Sequence, residues 1–354
     1  MKKYNVAVIG VGVVGIEMLR ILKHRKFPIN NLKVFARSAR DIQVDEDIYS
    51  VEPITPNGFK GIDIALFAGT EGEKGAAVTY AAEAVKRGAV VIDNGADFRM
   101  DPKVPLVVPE VNAQDVRKHK GIIANPNCST IQLVVALNPI HKKAGIKKII
   151  VTTLQASSGA GKGAVEQLKE EVNLIAQGGF DNLQVSAVNK SMPQQLAYNC
   201  FPHIGSFVEG DYTNEEWKLV NETHKIMHAP KIKISATCVR IPVRTGHSES
   251  IYIQTIKPIT IAGIKNLLAK APGVVLIDEP KNNLYPMPKD SEGQDAVFVG
   301  RIRQDAFDKQ GFWLWVVADN LRKGAATNAV QIAECLISGV IPAPVFTGVN
   351  STGI

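Results

Sequence analysis

The feature that most constrains this 354-residue chain is a glycine-rich turn that follows its first apolar segment. Residues Tyr4–Ile9 form a short apolar run, which is typical of a buried parallel strand. The turn Gly10–Gly15 (GVGVVG) follows, and an apolar helical pattern begins at Ile16. In this order the glycines permit a tight turn and bring a pyrophosphate close to a helix N-terminus. The alternative is a glycine-rich turn in another α/β fold. We predict a dinucleotide site that includes Gly10, Gly12, Val13, Val14 and Gly15.

The end of the second predicted strand, Leu32–Ala36, bears on the choice of cofactor. Arg37, Ser38 and Arg40 follow this strand, and the first acidic residue, Asp41, lies beyond them. An NAD site usually has an acid here for the ribose hydroxyls, whereas an arginine suits the 2′-phosphate of NADP. We therefore predict NADP (NADPH), bound by Arg37, Ser38 and Arg40. The alternative is a solvated basic loop.

Two further loops follow strands in the first third of the chain. Gly69 and Thr70 come after the predicted strand Asp63–Ala68, at the strand end where ligands bind in such sheets, and are predicted cofactor contacts. Arg99 lies in the loop after the predicted strand Ala89–Ile92 and can hold a phosphate or carboxylate with two hydrogen bonds. A surface ion pair is the alternative for Arg99. The alternation of strands and helices predicts a doubly wound domain.

The segment Asn125–Thr130 (NPNCST) contains the strongest nucleophile candidate, Cys128. A helical pattern begins at Thr130 and runs into Pro139, which places Cys128 in the turn at a helix N-terminus. The backbone N–H groups and the helix dipole favour a thiolate there. The same N–H groups can stabilise the oxyanion of a tetrahedral adduct. We interpret Cys128 as a nucleophile, and the alternative is a small buried hydrophobic residue.

The pattern changes in the second half of the chain. The predicted strand Ile149–Leu154 leads into Gln155 and a glycine- and serine-rich loop before a helix. This loop lacks the spacing of a nucleoside-triphosphate phosphate loop, which excludes a triphosphatase. We predict a smaller loop for an oxyanion or a substrate, with Gln155 placed to orient a water or an acyl group.

Other polar residues of the second half have the chemistry of a catalytic site. The predicted strand Lys233–Val239 is followed by Arg240 and, after a bend, by His247 in a Gly-His-Ser turn between strands. A histidine with a near-neutral pKa is a suitable acid–base partner for a cysteine nucleophile. Glu215 and Lys218 share one face of a predicted helix, a pattern more typical of a surface ion pair.

Composition excludes several classes of protein. The formal charge is +7, but Lys and Arg are scattered, which favours small anionic ligands over nucleic acid. The four cysteines, Cys128, Cys200, Cys238 and Cys335, are widely spaced, which argues against a metal site or a disulfide framework. No signal peptide is recognisable, and no apolar run reaches the ~18 residues that span a membrane. We expect a cytoplasmic protein without a metal or a membrane partner.

Taken together, these segments resemble the aspartate-β-semialdehyde dehydrogenase family of the bacterial type. The resemblance extends to about Ile341, and Val107–Asn112 (VVPEVN) and Trp315–Gly324 (WVVADNLRKG) are long enough to be specific for the family. It implies an α/β fold: a Rossmann-type doubly wound dinucleotide-binding domain plus an α+β catalytic and dimerisation domain with a mixed sheet. The expected domain bounds are residues 1–127 plus 325–354 and residues 128–324. A homodimer is expected.

The resemblance also implies a reaction. This is the reversible NADPH-dependent reduction of 4-phospho-L-aspartate to L-aspartate 4-semialdehyde and phosphate through a cysteine thioacyl intermediate. The reaction belongs to the biosynthesis of lysine (through diaminopimelate), threonine and methionine. Cys128 would be the nucleophile, His247 the acid–base residue, and Gln155 the residue that orients the thioacyl group. Arg240 and Glu215 would bind the amino-acid part of the substrate. The implied phosphate contacts are Arg99, Asn127 and Lys218, and the further cofactor contacts are Ser158, Gly159 and Asn320.

Two other functions stay open at the level of sequence. N-acetyl-γ-glutamyl-phosphate reductase shares this chemistry on a related fold, although the Arg240–His247 segment and the run Asp319–Gly324 disfavour it. A non-catalytic NADP-binding regulator that senses redox state through Cys128 is the second alternative. The presence of Cys128, Gln155, Arg240 and His247 together argues against it.

Overall fold

A computed structural model describes residues 2–69, 75–179 and 191–339. The chain divides into two compact units. Within the described residues, the first unit comprises 2–127, Lys225–His228 and 322–339, and the second unit comprises 128–179, 191–224 and 229–321. Among the described residues, no helix combines the length and the apolar character needed to cross a membrane.

The first unit is built on a seven-stranded sheet. Its strands are β1 (Tyr4–Ile9), β2 (Ile29–Ala36), β3 (Arg40–Val44), β4 (Asp47–Pro53), β5 (Ile64–Phe67), β6 (Val90–Asp93) and β7 (Ile122–Ala124). Their order is β3-β4-β2-β1-β5-β6-β7, and every neighbouring pair is parallel except β3 with β4. The sheet grows from β1 toward β2 on one side and β5 on the other, which creates a crevice where ligands bind in such folds. The predicted doubly wound sheet is confirmed.

The second unit contains a six-stranded mixed sheet. Its strands are β8 (Ile146–Gln155), β9 (Lys233–Arg240), β10 (His247–Thr255), β11 (Val274–Leu276), β12 (Val297–Gln304) and β13 (Gly311–Ala318). Their order is β11-β12-β13-β10-β8-β9. The outer pairs β11–β12 and β8–β9 are parallel, and the pairs between them are antiparallel. This confirms the predicted mixed sheet and the α/β fold class.

The helices of the described residues cover or connect these sheets. In chain order they are α1 (Val13–His24), α2 (Ala76–Lys86), α3 (Pro109–Asn112), α4 (Cys128–Ala144), α5 (Lys162–Gly178), α6 (Asn214–Met227), α7 (Ile261–Ala269), α8 (Pro288–Ser291) and α9 (Thr327–Ser338).

The core of the first unit combines residues of β1 and α1 with residues of α9. Met18 and Leu22 of α1 are buried against Val6 of β1. Val330 and Ile332 of α9 belong to the same apolar cluster. Burying such side chains stabilises the fold by about 1.5–3 kcal/mol each relative to leaving them exposed. The C-terminal helix therefore packs within the first unit and carries its polar residues there.

Three local features differ from the sequence-based expectation. Helix α4 begins at Cys128 and continues through Pro139 to Ala144, beyond the point where the apolar pattern stops. His247 is the first residue of strand β10 rather than part of a turn. The hairpin of β3 and β4 was not predicted. Thr70 and the C-terminal tail after residue 339 lie outside the described residues.

Candidate active site

A cleft of about 870 Å³ lies in the first unit, beside the ends of β1, β2 and β5. Its volume is within the range of ligand pockets. Thr79 and Tyr80 of α2 line it and were not predicted from the sequence. Val13, Val14 and Gly15 lie in the first turns of α1, next to the cleft residue Gly12. The predicted cofactor residues that line the cleft are Gly10, Gly12, Arg37, Ser38, Arg40 and Gly69.

Close backbone packing explains two of the glycines in the turn. Gly10 has a φ of +97°, and a Cβ there would lie 2.9 Å from the carbonyl oxygen of Ala68. A Cβ on Gly15 would lie 1.9 Å from the carbonyl oxygen of Gly10. A side chain at either position would clash with backbone, so both glycines are required for the tight strand-to-helix turn.

The basic residues of the cleft are exposed at its rim. Arg37, Ser38 and Arg40 all face solvent. Nη1 of Arg40 donates to Oγ of Ser38 at 3.1 Å, which brings a guanidinium beside a hydroxyl. Such a pair supplies donors for an anionic group at the ribose end of a dinucleotide.

The nucleophile candidate begins helix α4 in the second unit. Cys128 is half-buried, and the next ten residues of α4, 129–138, are buried. The unsatisfied N–H groups of the first helical turn and the helix dipole favour negative charge on its sulfur. Burial lowers the pKa of the Arg240 guanidinium, and the charge of the Cys128 thiolate partly opposes this shift. A positive group therefore lies within electrostatic range of the sulfur.

Three strand ends bring Gln155, Arg240 and His247 to one face of the mixed sheet; we call these three residues the strand-end row. Gln155 ends β8 and is paired in register with Arg240 at the end of β9. His247 begins β10, whose next residue pairs with the residue before Gln155. All three side chains are buried: Gln155 is 2% exposed, Arg240 4% and His247 0%. The sequence predicted these residues, and the strand register explains why they meet.

His247 is held in one tautomer. Its Nδ1 accepts the backbone N–H of Ala156 at 3.1 Å, so the neutral ring carries its proton on Nε2. Burial lowers the pKa of His247 well below 6.5, and the charge of Arg240 lowers it further. Nε2 has no hydrogen-bond partner among the described residues. The neutral ring therefore presents a buried N–H that can donate to a ligand.

Gly159 makes room for this ring. A Cβ on Gly159 would lie 3.0 Å from both Cε1 and Nε2 of His247, and 3.3 Å from Nη1 of Arg240. That guanidinium nitrogen donates to the carbonyl oxygen of Ala156, so the loop that contains Ala156 and Gly159 packs tightly against the strand-end row. Gly159 was predicted as a cofactor contact, and its lack of a side chain also leaves room for the buried histidine ring.

Helix α6 places an acidic residue, Glu215, and a basic residue, Lys218, next to the strand-end row. Nε2 of Gln155 donates to Oε1 of Glu215 at 3.3 Å, and Nζ of Lys218 donates to Oε2 of Glu215 at 3.3 Å. Glu215 is 6% exposed, and the Lys218 side chain is 24% exposed. The alternative of an exposed surface pair does not describe this geometry. The chain Lys218–Glu215–Gln155 links a cation to the strand-end row.

Two predicted cofactor residues of the second unit bond to each other. Nδ2 of Asn320 donates to Oγ of Ser158 at 2.9 Å. Oδ1 of Asn320 accepts the backbone N–H of Gly246, directly before His247, at 2.9 Å. Asn320 therefore also holds the chain that leads into the strand-end row.

The remaining predicted substrate residues lie in the first unit. Arg99 and Asn127 are buried, at 5% and 6% exposure. Nε of Arg99 donates to the carbonyl oxygen of Asn125 at 2.9 Å, and Nη2 donates to that of Asn94 at 2.8 Å. The guanidinium is thus fixed by two carbonyl groups of its own unit.

Sequence reasoning missed a buried acid behind the strand-end row. Glu249 is fully buried on β10, two residues after His247 and on the same face. Both of its carboxylate oxygens lack a hydrogen-bond partner within the described residues. Burial raises the pKa of Glu249 well above 4.5, and the nearby side chain of Gln132 opposes this shift. Its recognition depends on the strand register, because the segment around it, Ser248–Ser250, is polar.

Among the described residues, no cluster of three or more histidine, cysteine, aspartate or glutamate side chains could hold a metal ion.

The chain is similar in sequence and in fold to known proteins. Residues 5–119 match the model of the semialdehyde dehydrogenase NAD-binding domain, and residues 137–323 match that of the semialdehyde dehydrogenase dimerisation domain. The aspartate-semialdehyde dehydrogenase of Aquifex aeolicus is 52% identical over 94% of this chain and 98% of its own length. Aspartate-semialdehyde dehydrogenase II of Vibrio cholerae, solved in complex with ASA, has a TM-score of 0.89 and 40% identity, covering 95% of this chain and 99% of that one. The Candida albicans enzyme, solved with NADP, has a TM-score of 0.69 and 25% identity, covering 95% of this chain and 99% of that one.

Proposed function

The chain belongs to the aspartate-semialdehyde dehydrogenase family, and from this we propose that it interconverts 4-phospho-L-aspartate and L-aspartate 4-semialdehyde with Cys128 as the nucleophile. Relatives named aspartate-semialdehyde dehydrogenase match this chain over nearly their whole length. One observation supports these roles most strongly. Gln155, Arg240 and His247 are buried at three adjoining strand ends, in the unit that also contains Cys128.

These residues can perform the steps of the reaction in the reductive direction. The Cys128 thiolate attacks the acyl carbon, and phosphate leaves with the electron pair of the carbon–oxygen bond, which produces a thioester. When bound, the nicotinamide supplies a hydride to that carbon. The resulting thiohemiacetal oxyanion collapses to the aldehyde: an oxygen electron pair forms the C=O bond, the carbon–sulfur bond breaks, and its electron pair returns to Cys128 as the thiolate. Nε2–H of His247 donates to this oxyanion, which gives the histidine its acid–base role.

Charges in the second unit suit the amino-acid part of the substrate. Arg240 is a buried cation for the α-carboxylate, and Glu215 is a buried anion for the α-ammonium. Gln155 lies between them in hydrogen-bond contact with Glu215 and orients the thioacyl oxygen. Arg99, Asn127 and Lys218 are the proposed phosphate ligands.

NADP is the proposed form of the nicotinamide cofactor. The exposed guanidinium groups of Arg37 and Arg40 at the rim of the cleft support this proposal, because a 2′-phosphate needs cationic donors there. Arg37→Ala should raise the KM for NADPH about tenfold and leave the KM for NADH nearly unchanged. Steady-state kinetics with both cofactors measures this, with the exposed Lys60→Ala as a control outside the cleft. Equal loss with both cofactors would refute the 2′-phosphate role.

A homodimer in the cytoplasm is the proposed physical state. The match of residues 137–323 to a dimerisation domain supports the dimer. Light scattering during size-exclusion chromatography should give twice the 38.3 kDa mass of the chain. A mass equal to one chain at micromolar concentration would refute it.

The reaction itself is tested by the reduction of NADP with L-aspartate 4-semialdehyde in the presence and absence of phosphate. Strict dependence on phosphate is expected, because phosphate must release the acyl group from Cys128. N-acetyl-L-glutamate 5-semialdehyde serves as the comparison substrate and should react poorly. A preference for the acetylated substrate would identify the rival reductase, and cofactor binding without turnover would indicate the regulator.

A further inference from the structure

A chain of buried hydrogen bonds in the first unit ends at Arg99. It starts at Lys323, which is completely buried. Nζ of Lys323 lies 2.8 and 2.7 Å from the two carboxylate oxygens of Glu110, 2.7 Å from Oε1 of Gln331 and 3.0 Å from Oδ1 of Asn328. From Asn328 the chain continues through two more asparagine side chains. We call it the amide relay, and its members are Lys323, Asn328, Asn125 and Asn94.

The ammonium group fixes the direction of the relay. Lysine only donates hydrogen bonds, so Asn328 must turn its Oδ1 toward Lys323. Its Nδ2 then points the other way and donates to Oδ1 of Asn125 at 2.7 Å and to the carbonyl oxygen of Val107 at 3.0 Å. Because Oδ1 of Asn125 accepts, its Nδ2 faces Oδ1 of Asn94, to which it donates. The orientation of each amide follows from the one before it.

The far end of the relay holds the predicted phosphate ligand. Asn125 and Asn94 supply the two backbone carbonyl oxygens that accept from Nε and Nη2 of Arg99, at 2.9 and 2.8 Å. Asn125 also lies two residues before Asn127, another predicted phosphate contact. The side chains that set the relay and the carbonyl groups that hold Arg99 thus belong to the same residues.

We propose that Asn328 is a positioning residue for phosphate: through Asn125 it fixes the carbonyl groups that orient the guanidinium of Arg99. This inference rests on the proposed function, in which Arg99 binds phosphate. It gives helix α9, some 230 residues after Arg99 in sequence, a part in substrate binding. Asn328 and Asn125 each have both the donor and the acceptor side of the amide engaged, so a change at Asn328 must pass to Asn125 and from there to Asn94.

Asn328→Asp tests the direction of the relay with almost no change of volume. A carboxylate can only accept, so one oxygen suits Lys323 while the other faces Oδ1 of Asn125. Relief requires the Asn125 amide to turn, which sets its oxygen against Oδ1 of Asn94. We expect the KM for phosphate to rise about tenfold, from the usual cost of one unsatisfied buried hydrogen bond, while the KM for NADP changes less than about twofold.

Gln331→Glu is the matched control. Gln331 lies on the same helix, and its hydrogen bonds go to the same ammonium and to Glu110, at 2.7 and 3.1 Å. The substitution introduces the same charge beside Lys323 and leaves Asn125 untouched. We expect an unchanged KM for phosphate. If either acidic variant fails to fold, Asn328→Ala and Gln331→Ala carry the same comparison.

Three outcomes decide the proposal. A rise in the KM for phosphate with Asn328→Asp and not with Gln331→Glu supports it. Equal effects of both variants, or a loss of folded enzyme with an unchanged KM, overturn it in favour of a structural role. Arg99→Lys, measured in the same assay, distinguishes a failure of the relay from a failure of the proposed phosphate role of Arg99. If Arg99→Lys raises the KM for phosphate and Asn328→Asp does not, the inference alone fails; if Arg99→Lys has no effect, the phosphate role of Arg99 fails with it.

Discussion

Two buried polar regions of this protein differ in how completely their hydrogen bonds are satisfied. In the amide relay of the first unit, Lys323 donates to four acceptor atoms and Asn328 uses both its amide nitrogen and its oxygen. In the strand-end row of the second unit, Nε2 of His247 and Nε of Arg240 have no partner within the described part of the chain. Both regions are largely buried, although Asn94 of the relay is partly exposed.

The difference separates polar groups that support the fold from those that are available to a ligand. An unsatisfied buried polar group costs about 1–3 kcal/mol, and native proteins keep few of them. Such groups persist where a bound substrate completes their hydrogen bonds. Damage to the relay should therefore appear in stability and in the orientation of Arg99, whereas damage to the strand-end row and Cys128 should appear in turnover. The following changes test that division, in order of the size of the expected effect.

Cys128→Ala should abolish turnover, with a loss of about 10⁴-fold or more, since no thioester can form. NADPH binding, followed by fluorescence, and the thermal midpoint should stay nearly unchanged. Cys238→Ala is the control, because Cys238 is a buried thiol of β9 whose pKa is raised by burial. Loss of folding or of cofactor binding in Cys128→Ala would make Cys128 a structural residue.

His247→Gln should lower kcat about 10²–10⁴-fold if the histidine exchanges protons. Glutamine retains an N–H donor but cannot titrate, so it distinguishes proton transfer from hydrogen bonding. Because burial and Arg240 lower the pKa of His247, its acidic limb in the wild-type pH profile should lie below pH 6.5. An unchanged rate and profile in His247→Gln would assign the acid–base role to another group.

Lys323→Met should lower the free energy of unfolding by about 3–5 kcal/mol, because it leaves the carboxylate of Glu110 buried without its cation. Urea unfolding measures this change. Lys162→Met, which removes an exposed pair with Glu166, should leave the unfolding midpoint nearly unchanged. Equal effects of the two variants would show that the buried Lys323–Glu110 pair stabilises the fold no more than the exposed Lys162–Glu166 pair does.

Glu249→Gln should change how stability depends on pH. The folded state raises the pKa of Glu249, so the wild type loses stability as pH rises above about 4.5, where the unfolded chain releases a proton that the folded one keeps. The loss has a slope of at most about 1.4 kcal/mol per pH unit and levels off above the folded pKa. The glutamine variant lacks this slope. Parallel stability curves for both proteins would mean that Glu249 ionises normally in the fold.

The sequence was sufficient for the elements whose pattern is local. The strand Tyr4–Ile9, the glycine turn and the position of Cys128 at a helix N-terminus follow from periodicity and glycine geometry. The hairpin of β3 and β4 escaped prediction because its strands are largely polar and exposed. The end of α4 was misplaced because Pro139 usually stops a helix, whereas here tertiary packing carries it five residues further.

Other parts of the site depend on contacts that no local pattern contains. The relay joins Asn125 to Asn328 across 203 residues, and the ammonium of Lys323, together with the carbonyl groups of Val107 and Ala325, determines which way the amides face. Glu249 could be recognised only once strand register placed it on the inward face behind His247. Family resemblance supplied the roles of Glu215 and Lys218, since spacing alone indicated a surface pair.

The most direct test of the account is a rapid-mixing experiment with NADP and L-aspartate 4-semialdehyde in the absence of phosphate. If Cys128 forms a thioester that only phosphate releases, NADPH absorbance should rise by one equivalent per active subunit and then stop. Addition of phosphate should restart turnover, and Cys128→Ala should show no burst. Steady NADPH formation without phosphate, or a complete lack of the burst in the active wild-type enzyme, would contradict covalent catalysis on Cys128 with release by phosphate.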